Sequence, residues 1–129
     1  MIARVLIVSG SQWMRAGLRA ELRERGFDAV GARDLAEAAR YARPVGGRGP
    51  VGLLLVDQLS LGDELDAHVL ERLRDRLGAP LTVLVAPGNR EAASGDWTAV
   101  LRRPISIGGI ADYVGRVIPN ARADAPLDD

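Results

Sequence analysis

Gly52-Leu53-Leu54-Leu55-Val56-Asp57 is the most apolar run in the chain, and it ends in a carboxylate. A run this short and this continuously apolar fits a strand covered on both faces, as in the centre of a parallel sheet. A carboxylate at its end then belongs in the crevice beyond the C-terminal strand ends, where open α/β sheets do their work. Outward from this strand the same signal returns. Ala3-Arg4-Val5-Leu6-Ile7-Val8 is a β-branched run closed by Ser9-Gly10-Ser11, and Leu81-Thr82-Val83-Leu84-Val85-Ala86 is a third such run. Phe27 to Ala32 and Thr98 to Arg102 read as weaker strands, with Pro104 stopping the last.

Helical periodicity fills the gaps between strands. Met14, Leu18 and Leu22 recur on one face of Gln12 to Arg25, with Gly26 at the position of a C-terminal cap. Asp34 is a natural N-cap for an Ala-rich helix from Leu35 to Ala42. Leu65, Val69, Leu70, Leu73 and Leu77 form a stripe closed by Gly78 and Pro80. Ile107, Ile110, Ala111, Val114, Val117 and Ile118 supply the apolar face of a last helix, weakened by Gly108, Gly109 and Gly115. Strands alternating with helices in this way predict an α/β domain whose open, five-stranded parallel sheet is covered on both sides. The crevice is then formed by Ser9-Gly10, Asp57, Ala86-Pro87 and Arg102-Arg103.

Composition narrows the chemistry. A length of 129 residues fits one domain, and 47% apolar with 26% charged residues is enough for a packed core. Residues 1–119 read as the domain and 120–129 as a tail or the start of a linker; Pro44 to Pro50, rich in glycine, reads as a flexible surface loop. The formal net charge is zero, so capture of nucleic acid or of an anionic membrane by bulk charge is not expected. No cysteine and a single histidine exclude disulfides, thiolate catalysis and zinc sites built on Cys or His. All 17 basic residues are Arg, which excludes any step that needs a lysine. With no long apolar segment, a cytoplasmic location is expected.

Taken together, Val5-Leu6-Ile7-Val8 with Met14-Arg15, Val30-Gly31-Ala32-Arg33-Asp34 with Ala36-Glu37-Ala38, Leu53-Leu54-Leu55-Val56-Asp57 and Leu101-Arg102-Arg103-Pro104 resemble a response regulator receiver domain, the phosphoacceptor module of two-component signalling. The resemblance spans about residues 3 to 118 and implies the flavodoxin-like (βα)5 doubly wound fold. It also implies a site: an acidic pair after the first strand that holds Mg²⁺ with an acceptor Asp ending the third, a Ser or Thr ending the fourth strand, and a Lys before a Pro after the fifth. The aligned positions are Ser9 and Gly10, Asp57, Val85 and Arg103. Only the acceptor is retained.

Each departure has a physical consequence. Without the acidic pair, Asp57 alone faces a hard dication that requires several oxygen ligands, so Mg²⁺ is not expected as a cofactor. Val85 offers a phosphoryl oxygen no hydrogen bond. Arg103 keeps the positive charge but presents a planar fork suited to pairing with a carboxylate. Leu61 and Leu65 stand where the family often has Pro and Gly after the acceptor, so the loop after the third strand is expected to differ. Pro87 to Trp97 provides only eleven residues between the fourth and fifth strands, so the helix that would join them is expected to be shortened or absent.

These features predict a degenerate, pseudo-receiver signalling module that is not an enzyme. Asp57 paired with Arg103 would fix its conformation, and it would act through a protein partner or a covalently linked effector domain, with homodimerisation as one option. Trp97 and Trp13 are the interaction candidates. Direct contact with nucleic acid or membrane is not expected. Two alternatives remain open: a phosphorylatable receiver with Asp57 as acceptor, and a small ligand-binding protein or enzyme of flavodoxin-like type that cradles a phosphate on the backbone of Ser9-Gly10-Ser11. His68, among Asp66, Ala67 and Glu71, reads as solvent-facing.

Overall fold

In the computed structural model, residues 4–42 and 50–118 are described, so the sequence readings for most of the 44–50 loop and for the tail 120–129 lie outside the described residues. The strands are β1 (Arg4–Val8), β2 (Asp28–Ala32), β3 (Val51–Asp57), β4 (Leu81–Ala86) and β5 (Ala99–Arg102). The α-helices are α1 (Gln12–Glu24), α2 (Leu35–Ala38), α3 (Gln58–Leu61), α4 (Ala67–Arg76) and α5 (Ile107–Val117). The five strands form one parallel sheet in the order β2-β1-β3-β4-β5. It is the doubly wound, flavodoxin-like α/β architecture expected from the alternation of elements.

Alternation along the strands splits the core in two. Val5, Ile7, Leu53, Leu55, Val83 and Val85 face Met14, Leu18 and Leu22 of α1 and Ile110, Ala111 and Val114 of α5. Leu6, Val8, Leu54, Val56, Leu84 and Ala86 face Leu35 and Ala38 of α2 and Leu70 and Leu73 of α4. All of β3 from Leu53 to Val56 is inaccessible to solvent, as its composition demands. β2 and β5 are the two edge strands; β5 is four residues long, with Val100 and Arg102 reaching solvent while Ala99 and Leu101 are half-buried.

Helix ends follow local chemistry. Ser11, Asp34, Asp66 and Ser106 each cap the N-terminus of a helix by accepting a backbone N–H. Gly26, with φ of 95°, ends α1 in the left-handed conformation that suits glycine. Three sequence expectations need correction. The helix read over Leu35 to Ala42 is α-helical only to Ala38 and continues as a 3-10 turn over Ala39–Ala42, with Pro44 close behind disfavouring further α-helix. The stripe from Leu65 to Leu77 begins as helix only at Ala67, because the Asp66 side chain takes the first-turn N–H groups and leaves Leu65 outside; Val69 is also 37% exposed. The segment after Asp57 is a short helix, α3, followed by a 3-10 turn over Gly62–Glu64, and Leu61 is buried beneath it.

The Asp66 cap carries a pH signature. The Val69 and His68 N–H groups hold its carboxyl below the usual value. A carboxyl depressed in the folded state contributes stability above its unfolded pKa, and that contribution is lost as pH falls through the folded value. Acid titration of the folding midpoint is therefore expected to show a component, at and below the ordinary carboxylate range, that Asp66→Asn removes while the neutral-pH behaviour changes little. Identical acid limbs for both proteins would contradict this.

Candidate functional site

The site is built at the C-terminal ends of β1, β3 and β5. Asp57 stands at the junction of β3 and α3, yet its side chain makes no cap bond to the helix, which leaves both carboxylate oxygens for the crevice. Alternation puts this side chain on the α1/α5 face, in line with Leu53 and Leu55. Ser9 Oγ donates to Asp57 Oδ2 at 2.9 Å, and Arg103 Nη2 donates to Asp57 Oδ1 at 3.0 Å. Asp57 is only 1% exposed and Ser9 fully buried, so each carboxylate oxygen has exchanged water for a protein donor. Arg103 also lies 3.3 Å from Met14 Sδ, and its backbone N–H donates to Ala86 O, fixing the start of the segment after β5 against β4.

Ser60, which no pattern in the sequence singles out, completes the network. Gly10 N–H donates to Ser60 Oγ at 2.8 Å, and the Ser9 and Ser60 hydroxyls are 3.2 Å apart. The α3 turn thereby closes over the exit of β1. Ser11 N–H donates to Ser9 Oγ at 3.1 Å, and Arg15 Nη1 donates to Ser9 O at 2.6 Å. Two of the backbone donors on which a phosphate cradle at Ser9-Gly10-Ser11 would draw are thus bonded to protein hydroxyls, Gly10 N–H to Ser60 and Ser11 N–H to Ser9.

The remaining predicted positions fall as follows. Val85 is level with Asp57 in the register, but it is fully buried and packs in the core; the strand ends one residue later at Ala86. Neither carries a hydroxyl, so no phosphoryl-binding alcohol ends β4 whichever position is compared. Trp97 is half-buried on the α2/α4 face of the sheet, with its indole N–H donating to Ala93 O at 2.7 Å. Trp13, in the first turn of α1, is 89% exposed. His68 is exposed. Residues 87–97 contain no helix, so the connection between β4 and β5 is a loop. Beside Arg103 it leaves an open cleft lined by Leu59, Pro87, Gly88, Asn89, Ile105 and Ser106.

A magnesium ion, which the resemblance implies, does not fit these residues. Asp57 is the carboxylate of the site, and no group of three His, Cys, Asp or Glu side chains is placed to hold a metal among the described residues. A hard dication wants several oxygen ligands, whereas here a guanidinium already balances the charge. Nor is there room for a second acid without rearrangement, since a Cβ added at Gly10 would sit 3.0 Å from the Ser60 carbonyl oxygen.

No protein-family model matches the chain, and no curated protein matches it. Solved structures do. The chain is similar to the receiver domain of the hybrid histidine kinase CckA, with 26% identity and a TM-score of 0.65 over 88% of this chain and 97% of that one. It is similar to a response regulator from Thermotoga maritima, with 17% identity and a TM-score of 0.67 over 92% of this chain and 98% of that one. A response regulator protein from Burkholderia pseudomallei, solved with a phosphorylated aspartic acid, calcium ion and citrate, is 19% identical with a TM-score of 0.65, over 88% of this chain and 71% of that one. The fold is that of the response regulator receiver domain, the CheY-like module of two-component signalling. Among the described residues no helix is long and apolar enough to cross a membrane.

Proposed function

We propose that the chain is a receiver-like signalling module that acts through protein contacts and does not depend on Mg²⁺-assisted phosphorylation of Asp57. The observation that carries this reading is the state of the carboxylate: buried, with one oxygen bonded to Ser9 and the other to Arg103. A phosphodonor would have to displace both partners, and the donor set gives no metal to offset the incoming charge. The pair does in a fixed way what a switchable phosphoryl group and its metal do elsewhere, so the domain is held in one conformation. Partners then recognise its surface, through a separate protein, a linked effector domain or a second copy. No catalytic step is assigned.

The test is direct. Incubation with a small-molecule phosphodonor and Mg²⁺, followed by intact-mass measurement, is expected to leave the mass unchanged. A stable single phosphoryl adduct mapping to Asp57 would overturn the reading in favour of a phosphorylatable receiver. The open cleft beside Arg103 motivates a second assay. A thermal shift screen over nucleotides, flavin and phosphorylated metabolites is expected to be flat, whereas a ligand bound at 100 times its Kd would add about 2.7 kcal/mol of stability. A clear upward shift would favour the ligand-binding alternative.

A further inference from the structure

α4 sorts its charges into two rows, Glu71 with Asp75 and Arg72 with Arg76. The acidic row lines a cavity shared with Gly95 and Asp96, whereas the basic row runs along a groove of about 250 Å³ between α4 and α2. The floor of that groove is apolar, with Leu35 and Ala39 on one side and Val69 and Leu73 on the other. Val69 is 37% exposed there, although Leu70 and Leu73 of the same helix are buried. Arg72 and Arg76 are exposed, and neither forms an ion pair among the described residues. Two guanidinium groups one turn apart repel each other and favour an anion beside them. The groove is smaller than the roughly 300–1,000 Å³ of small-molecule sites, and it suits a side chain entering from a passing segment. An apolar floor beside two cations is complementary to an aliphatic residue flanked by carboxylates.

The chain carries such a segment. Asp124-Ala125-Pro126-Leu127-Asp128-Asp129, outside the described residues, sets one leucine among three aspartates, and Pro126 disfavours helix there. Topology roots it at the right end of the sheet. α4 leads into β4, so Arg76 lies where the strands begin; α5 follows β5 back to the same end, where Ile118 shares a cluster with Phe27 at the entry of β2. Leu127 is nine residues beyond Ile118. Extended, that stretch reaches about 30 Å, against a radius of gyration of about 13 Å for a domain of this size. We infer that the α2/α4 groove is the docking site of the chain's own residues 124–129, with Leu127 seated on Val69 and Leu73 and the aspartates paired with Arg72 and Arg76. The contact is independent of what Asp57 bonds to, so it leaves the crevice in its single conformation. A partner of the same chemistry gains this flank only by displacing the segment.

The chain has no cysteine, so Ala125→Cys accepts a single nitroxide label, and the amide signals of the whole 129-residue chain report which surface the label approaches. Broadening is expected to concentrate on residues 36–40 and 69–76 and to fade as salt is raised, because the paired charges are exposed. Leu127→Ser, and separately Arg72→Glu with Arg76→Glu, are each expected to abolish it. Asp128→Arg with Asp129→Arg, added to the chain carrying the two arginine reversals, is expected to bring it back. Every substituted position is exposed or outside the described residues, so the fold is expected to persist, and the amide spectrum itself verifies it. Broadening that is uniform, that falls on another face, or that survives either the Leu127 or the arginine variants overturns the proposal. A mixed sample, with the nitroxide on one copy and the isotope on another, separates the sources. Equal broadening in that sample would give the groove to a second copy's segment and overturn docking within one chain.

Discussion

Arg103→Met is expected to lower folding stability by about 2–4 kcal/mol, and adding Asp57→Asn to the same chain is expected to restore most of it. The size follows from asymmetry in burial: the Asp57 side chain is 1% exposed and the Arg103 side chain 33%. Removing the guanidinium strands a carboxylate that cannot reach water, and breaking a fully buried pair costs about 3–5 kcal/mol. The partial exposure of Arg103 brings the figure down, since some of its attraction is already screened. Asn at position 57 removes the stranded charge and still accepts from Ser9. Urea unfolding of the two variants and the parent decides it. If Arg103→Met alone is within about 0.5 kcal/mol of the parent, the ion pair does not hold the crevice.

Leu55→Ala is expected to cost about 3–5 kcal/mol, near the upper end for a buried leucine. Leu55 is inaccessible, lies on the central strand, and shares a cluster with side chains of α1 and α5. Backbone pairing to β1 and β4 on either side prevents the strand from moving to fill the void. Unlike the loss of Arg103, this deficit has no rescue through Asp57→Asn, because it is missing contact rather than stranded charge. Urea midpoints of the single and double variants separate the two mechanisms, and a rescue of Leu55→Ala by Asp57→Asn would show that the two sites are not independent.

The sheet was legible because β3, β4 and β1 are short apolar runs bounded by polar turns, a pattern that few other structures accommodate. Asp57 was legible for the same reason, as the one charge terminating such a run. Arg103 could be aligned as its neighbour because it immediately precedes Pro104. Ser60 was not legible. Its role depends on α3, a helix of a single turn whose four residues carry no periodicity to read, and on a turn direction that brings Ser60 back over Gly10. Val85 and Ala86 illustrate a finer limit: both are small apolar residues at the end of one run, and only the register of β4 against β3 and β5 tells which face each occupies. The boundaries of α2 and α4 shifted because a nearby proline and a capping aspartate overrode the hydrophobic stripe.

β5 bears on how such molecules behave when crowded together. Its free margin is the natural place for one copy to template another into a fibril, yet it offers only four residues of backbone and its arginine reaches solvent. So few rungs and a repelling cation at the tip leave little to propagate from, so this margin is expected to seed less polymerisation than a longer, uncharged one would.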